Sequence, residues 1–233
     1  MCGAIKLGTK EHMEAFYEKG EVYMQNFNYF RNNEMKDDGR GDPHEYDTYY
    51  MAGEALNNVK ISVKVNDKTT GELKNEFPLD DGLINLSIQD PKKLKFSHIF
   101  CCSSIDGNEA QEKHHLLQER NFADGKDYAV LFDVNKFRDR LYSILKKNKS
   151  CLRAQSKLIS YYSEEDFFGE LDCFSKRSFY SYQKEIRFAA LFTSPDPQTI
   201  YIGSMRDIAT SPMYKNDFLD LSFRVENNRI LFG

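Results

Sequence analysis

Apart from Ile186, the residues at positions 182–187 are polar or charged, and an apolar stretch follows them to Phe192. In an extended strand, residues two apart share a face, so Glu185 and Arg187 point to one side of the chain. A carboxylate beside a guanidinium at a strand start can orient a ribose hydroxyl or stabilise a cationic transition state. The alternative is an edge strand with paired surface charges. The pattern makes Glu185 and Arg187 candidate catalytic residues.

A second polar cluster lies in the segment Arg40–Glu45, where a glycine and a proline interrupt the chain and favour an exposed loop. Arg40 could bind a phosphate or carboxylate through two parallel hydrogen bonds. Asp42 and Glu45 could orient that arginine or a substrate hydroxyl. The alternative is a solvated loop with an internal ion pair. Glu45 is therefore a third candidate catalytic residue, and Arg40 a candidate ligand-binding residue.

Two hydroxyl residues, Ser103 and Ser104, follow a strand predicted over residues 95–102. Hydroxyls at a strand end can line a pocket mouth, and they can equally cap a turn into the next helix. His114 and His115 are adjacent on a helix predicted to follow a turn at residues 106–108 and to run to about Glu119. Adjacent helical residues point roughly 100° apart, so both cannot face one metal ion. We expect no metal site here.

Charge is unevenly distributed along the second half of the chain. The segment Lys136–Lys157 contains eight cations and one acid, Asp139. The segment Glu164–Asp172 contains five acids and no cation. A basic surface could bind nucleic-acid phosphates. The two segments could instead neutralise each other across a turn.

Composition limits the class of protein. Hydrophobic residues make up 40% and aromatic residues 14% of 233, which provides enough apolar surface for a folded core and argues against disorder. The net charge of −4 argues against nucleic-acid binding by overall charge. No apolar run approaches the roughly 18 residues that a membrane span needs. The five cysteines are scattered, as in proteins of a reducing compartment, and we expect a cytoplasmic protein with no membrane association.

The amino-terminal segment alternates strand and helix signals. Ala4–Leu7 reads as a strand, Thr9 as the N-cap of a helix, and Gly20 as its end. Val22–Met24 reads as a second strand, and Asn26–Arg31 as a short helical turn.

Most of the remaining chain shows strand patterns. Strands are predicted over residues 59–65, 73–77, 83–88, 95–102, 128–132, 151–162, 181–192, 198–202 and 218–225. Asp133 or Asn135 should cap a helix whose apolar stripe includes Phe137 and Leu141, and acidic helical turns should follow Glu164. The result is a single α+β domain over residues 1–233, with an antiparallel-rich mixed sheet and peripheral helices. Residues 66–90 form a possible hairpin insertion.

Two segments carry a resemblance to an uncharacterised bacterial and phage protein family. The matching residues are Lys6-Leu7-Gly8-Thr9, Gly20-x-Val22-Tyr23-Met24, Arg40-Gly41-Asp42-x-x-Glu45 and Tyr182-Gln183-Lys184-Glu185-Ile186-Arg187.

The layout is also similar, more weakly, to the ADP-ribosyltransferase superfamily. There a first strand is followed by Gly-Thr, a helix and a glycine, a central strand carries serine, and a late strand carries a catalytic glutamate. The resemblance implies that NAD is the substrate and that Glu185 contacts its ribose. It implies that Ser103 supplies the central serine, although a Ser-Thr-Ser motif is absent here. Lys6 stands where that superfamily has His or Arg.

The same resemblance assigns the remaining binding residues. Lys6 and Arg40 would hold the pyrophosphate, and Tyr182 or Tyr23 would stack on the nicotinamide. The leading hypothesis is an NAD-dependent enzyme of the ADP-ribosyltransferase type, in which folding brings the early and late charged clusters together. The alternatives are a nucleic-acid-binding or RNA-processing module that uses Lys136–Lys157, and a nucleotide-binding protein without turnover.

Overall fold

The computed structural model describes residues 3–32, 46–52, 62–66, 73–78, 85–88, 90–105, 126–163, 165, 167–220, 223–226 and 229–232. Several predictions from the sequence lie outside these ranges. They are Arg40 and Glu45 with their loop, and the helix predicted to carry His114 and His115.

The chain begins with a strand, a helix and a second strand, as predicted. Strand β1 is Gly3–Gly8, helix α1 is Lys10–Lys19 and strand β2 is Glu21–Asn26. The Thr9 hydroxyl caps α1 by accepting from the His12 N–H at 3.3 Å. Gly20 ends the helix in the left-handed conformation, at φ 62°. The two caps therefore set the ends of α1, and with them the points where β1 ends and β2 begins.

The other helices and strands follow in chain order. The helices are α2 (Phe27–Asn32), α3 (Pro91–Phe96), α4 (Val134–Leu145) and α5 (Lys215–Asp220), with a 3₁₀ helix over Ser178–Gln183. The strands up to the centre of the chain are β3 (Tyr49–Ala52), β4 (Ser62–Asn66), β5 (Leu73–Pro78), β6 (Asn85–Ile88), β7 (Ser97–Ile105) and β8 (Tyr128–Asp133). Those of the second half are β9 (Cys151–Leu158), β10 (Ser160–Tyr162), β11 (Phe168–Glu170), β12 (Ser175–Arg177), β13 (Glu185–Phe192), β14 (Gln198–Tyr201), β15 (Met213–Tyr214), β16 (Phe223–Glu226) and β17 (Arg229–Phe232).

One eight-stranded antiparallel sheet organises the fold, which confirms the α+β class. Its strands follow the order β14-β2-β7-β1-β8-β15, and β7 also pairs with β13, which pairs with β9. Strand β7 thus has β13 along one edge and two different strands along the other. On that second edge, β2 pairs at His98 and Ile99, and β1 pairs from Ser103 to Ile105.

The two faces of this sheet carry different cores. One face holds the main core, in which the rings of Phe16, Phe100, Phe132, Phe137 and Phe188 pack together under α1 and α4. The other face holds two separate apolar clusters. One contains Ile105, and the other contains Ile99. The polar residue Ser103 lies between these two on β7.

Four strand predictions are wrong in their bounds, three of them because a local helix signal was outweighed by the strand pattern. Residues 95 and 96 belong to α3, which begins with Asp90 as N-cap and Pro91 at its first turn. Ser103 therefore lies inside β7 rather than after a strand. Residues 181–183 belong to the 3₁₀ helix, so the late strand begins at Glu185. Phe218 belongs to α5, and Ile159 divides the strand predicted over residues 151–162.

The acidic segment also differs from prediction. Its residues Phe168–Glu170 form strand β11, paired with Tyr49–Ala52, rather than a helical turn. The predicted hairpin is present as the antiparallel pair β4–β5, whereas Asn85–Ile88 pairs with Tyr49–Ala52 and is not part of it. None of the helices in the described ranges combines the length and the hydropathy needed to cross a membrane.

Candidate functional site

Glu185 is the first residue of β13 and lies at the polar gap between the two smaller cores. It pairs directly with Ser103 on β7, and Ser103 pairs directly with Ile5 on β1. Directly opposed residues of antiparallel strands point to the same face, with Cβ atoms about 5 Å apart. Folding therefore places Ser103 and Glu185, two of the predicted site residues, side by side on one face of the sheet.

Strained backbone sets the point at which β13 begins. Lys184 ends the 3₁₀ helix with φ 41°, a left-handed conformation that is unfavourable for a residue with a Cβ. The Ser104 N–H and hydroxyl both donate to the Lys184 carbonyl, at 2.8 Å each. The next N–H, that of Glu185, donates to the Tyr161 hydroxyl at 2.9 Å. These bonds turn the chain sharply and direct Glu185 onto the sheet.

Two cations hold the Glu185 carboxylate. Arg187 Nε donates to Oε1 at 2.8 Å, and Lys176 Nζ donates to Oε2 at 3.1 Å. Lys176 also donates to the Gln183 side chain at 2.8 Å and lies 4.7 Å from the Tyr180 ring centroid. Side-chain exposure is 6% for Glu185 and 7% for Lys176, so this ion pair is largely shielded from water.

The Arg187 side chain is buried among groups that it contacts. Besides Glu185, it donates from Nη1 to the Cys173 carbonyl at 2.6 Å, and its guanidinium lies 5.3 Å from the Phe27 ring centroid. Only 1% of the side chain is exposed. The predicted shared face of Glu185 and Arg187 is confirmed, and in this geometry Arg187 acts by positioning Glu185.

The carboxylate is ionised at neutral pH. Burial alone would raise the pKa of Glu185, but the Arg187 and Lys176 charges outweigh it and hold that pKa well below its usual range. The Cys101 thiol contributes a further hydrogen bond to Glu185. Burial and the nearby carboxylate in turn raise the pKa of Cys101, so this thiol stays protonated. A carboxylate has about four acceptor positions, so about one remains for a ligand hydroxyl.

Lys6 lies apart from this cluster. Residues alternate along β1, so Lys6 points to the face opposite Ile5, and its Nζ lies 4.4 Å from the Phe100 ring centroid in the main core. Its ammonium donates to the Cys101 carbonyl at 2.6 Å. That carbonyl lies where β1 and β2 separate along β7, and Lys6 closes this interruption in the strand pairing.

The two predicted aromatic contacts differ in exposure. Tyr23 lies on β2 with 52% of its surface exposed, and alternation from Gln25, which pairs with Ile99, places it on the face of Glu185. Gln25 Nε2 donates to the Tyr23 hydroxyl at 3.3 Å. Tyr182 is half-buried and accepts from Gln183 Nε2 at 3.4 Å, which links it to Lys176. Tyr23 is therefore on the sheet face that a ligand at Glu185 would meet, whereas Tyr182 lies on the 3₁₀ helix before β13.

The structure thus brings together Glu185, Arg187 and Ser103, with Tyr182 joined to them through Gln183. It places Lys6 on the other face. Sequence reasoning missed Lys176 and Tyr161, which contact Glu185. Both lie on three-residue strands, β12 and β10, that are too short to show periodicity. Only the packing of β10 parallel to β12 brings them to the start of β13.

Within the described ranges, no group of three or more His, Cys, Asp or Glu side chains is arranged to hold a metal ion. Comparisons of the chain with protein-family models, with curated proteins and with solved structures found no significant match.

Proposed function

We propose that the protein is a nucleotide-using transferase of the ADP-ribosyltransferase type, with NAD as its substrate. The observation that carries the proposal is the pairing of an ionised Glu185 with Ser103 across adjacent strands, on the sheet face that also presents Tyr23. The fold class proposed with it is an ADP-ribosyltransferase-like α+β fold, which the antiparallel main sheet with its flanking helices supports.

In this proposal Glu185 accepts a hydrogen bond from a ribose hydroxyl and stabilises the cationic sugar as nicotinamide departs. Arg187 and Lys176 keep the carboxylate ionised and fixed in direction. Ser103 supplies a second hydroxyl contact, and Tyr23 or Tyr182 stacks on the aromatic base. Lys6 is engaged by the Cys101 carbonyl, so the proposal does not depend on it.

The test is release of nicotinamide from NAD, measured by chromatography with the whole chain. We expect Glu185→Gln to lower the rate by roughly 10²–10³-fold, the effect of removing one electrostatic stabiliser. Glu170→Gln is the matched control, since Glu170 is exposed on β11 and should leave the rate unchanged. Absence of both nicotinamide release and an NAD-induced thermal shift would refute the proposal.

Ser103→Ala provides a second test in case the Glu185→Gln variant does not fold. It removes only a half-buried hydroxyl and leaves the ion pairs in place. We expect a slower rate with unchanged secondary structure by circular dichroism. An unchanged rate in this variant would show that the Ser103 hydroxyl does not contact the substrate.

A second candidate is a nucleotide-binding protein without turnover. It is favoured by the two cations on Glu185, because a neutralised carboxylate stabilises a developing positive charge less. This candidate predicts an NAD-induced thermal shift with no nicotinamide release. Glu185→Gln would then weaken the shift only modestly.

A further inference from the structure

Strand β9 forms an open edge of the main sheet. Among the described strands it pairs only with β13, through the register that joins Lys157 to Arg187. The Ile159 N–H donates to the Glu185 carbonyl, and the backbone groups of every second residue from Ile159 back along β9 therefore face β13. The backbone groups of Ala154, Ser156 and Leu158 therefore point away from β13. No described strand pairs with these groups, so within the described part of the chain this edge offers donors and acceptors to an added strand.

Two exposed leucines lie at the ends of this edge. Leu152 is 63% exposed and Leu158 is 50% exposed, although most large apolar side chains of the neighbouring β13 are buried. A bulge between β13 and β9 lies near Leu152. The edge therefore combines open backbone groups with apolar contacts at both ends.

Four cations beside the edge lack a carboxylate partner among the residues that the structure describes. They are Lys146, Lys147 and Lys149 on the turn from α4 into β9, and Arg153 on β9 itself, and all four are exposed. No Asp or Glu occurs from Arg140 to Ser163. Three other cations of the basic segment differ. Arg138, Arg140 and Lys157 have partners in Asp139, Asp207 and Asp172.

These features select among possible occupants. A second copy paired through its own β9 would bring no carboxylate to these cations, since the segment from Arg140 to Ser163 contains none. A nucleic acid would match the charge, but the exposed large apolar residues on this edge are leucines rather than aromatic side chains that stack bases. An extended peptide with carboxylates matches the backbone edge, the leucines and the charge.

We propose that an extended acidic peptide segment of a partner protein docks on β9 by strand addition, with its carboxylates on Lys146, Lys147, Lys149 and Arg153. Strands in a sheet are about 4.8 Å apart, so the added strand would lie about 10 Å from β13 and from Glu185 at its start. Docking shares no residue with the nucleotide site, so it stands or falls independently of the proposed transferase activity.

The test is fluorescence polarisation of a labelled ten-residue peptide of alternating glutamate and valine, with the whole chain. The comparison probes are a lysine–valine peptide and a single-stranded DNA decamer. We expect the glutamate peptide to bind more tightly than either. The triple variant Lys146→Glu, Lys147→Glu, Lys149→Glu should weaken it at least tenfold. The control is Lys92→Glu, Lys93→Glu, Lys95→Glu, which makes the same charge change on exposed residues of α3 and should leave binding unchanged.

A second pair of variants isolates the backbone edge. Ser156→Pro removes an outward N–H, whereas Ser156→Ala keeps it, and both lose the side-chain hydrogen bond with Tyr142. We expect the proline variant to bind at least tenfold more weakly than the alanine variant, with equal circular dichroism.

Three outcomes would overturn the docking proposal. One is tighter binding of the DNA decamer through the same lysines, which would make the surface a nucleic-acid site. Another is self-association of the chain that Ser156→Pro abolishes in sedimentation. The third is no measurable binding of the glutamate peptide at low salt.

Discussion

Glu185 lies directly opposite Ser103 on the adjacent antiparallel strand, while Lys6, two strands away from Glu185, points to the other face of the same sheet. A carboxylate and a hydroxyl thus share one polar gap, and the early lysine serves the strand junction. This relationship separates residues that could contact a ligand from those that hold the sheet together. The second cation on the carboxylate, besides Arg187, is Lys176, whose Nζ lies 3.1 Å from Glu185 Oε2.

Lys176 should contribute strongly to stability. Lys176→Met leaves a buried carboxylate with one cation and leaves the Gln183 side chain without its donor. We expect a loss of about 3 kcal/mol in the free energy of unfolding, measured by urea titration. Lys157→Met is the matched control, because its ion pair with Asp172 is more than half exposed, and should change stability by less than about 1 kcal/mol. Equal losses in the two variants would contradict the assignment.

Glu185 should also make stability depend on acid pH. Its pKa in the folded protein lies well below that of an unfolded glutamate, about 4.3. The unfolded chain therefore binds the proton first as the pH falls. The stabilisation is complete at neutral pH and declines as the pH drops below about 4.5 towards the folded pKa. Urea midpoints at pH 7, 5, 4 and 3 should fall less steeply for Glu185→Gln than for the wild type. Parallel curves would refute a lowered pKa.

Capping and alternation predicted the parts of the fold that depend on neighbouring residues. The Thr9 cap and the Gly20 terminus of α1 are both confirmed, as are strand β8 and the Asp133 cap of α4. The two caps and the Gly20 terminus rest on contacts within a few residues, and β8 shows as a continuous apolar run. Helix α3 had comparable signals in Asp90 and Pro91, and reading the apolar run to Cys102 as one strand obscured them.

The candidate site was partly predictable for the same reason. Alternation placed Glu185 and Arg187 on one face, which is confirmed. It could not identify Lys176 or Tyr161, because they reach Glu185 through pairing between distant short strands. It also could not assign Lys6 to a face relative to Glu185, since that depends on which strands flank β7.

Cys101, Cys102 and Cys173 should be unreactive in the folded protein. Burial raises the pKa of Cys102 to about 12 and that of Cys173 to about 11, and the pKa of Cys101 is raised as well. The thiolate is the nucleophile, so iodoacetamide at pH 7.5 should modify these three slowly. Cys101 and Cys151 are both half-buried, and burial raises the pKa of both, but the Glu185 carboxylate raises that of Cys101 further, so Cys151 should react first among the described cysteines. Peptide mass spectrometry with and without guanidinium checks this order, and equal labelling of Cys101 and Cys151 would contradict it.

Two glycines with positive φ allow backbone strain to be separated from close packing. Gly20 has φ 62°, and a Cβ there would lie 2.1 Å from the Gly203 carbonyl oxygen and 2.7 Å from Ile202 Cγ1. Gly203 has φ 84°, and a Cβ there would meet nothing within 4 Å. Gly203→Ala should therefore carry only the conformational penalty, about 1–2 kcal/mol.

Gly20→Ala adds a steric clash to that penalty, because the Ile202 N–H donates to the Gly20 carbonyl at 3.0 Å and holds the two segments together. We expect it to destabilise the protein by at least about 1 kcal/mol more than Gly203→Ala, as overpacking typically does. Urea unfolding of both variants at pH 7 measures the difference. If the two losses were equal, the α1 terminus and the segment after β14 would not be in close contact in solution.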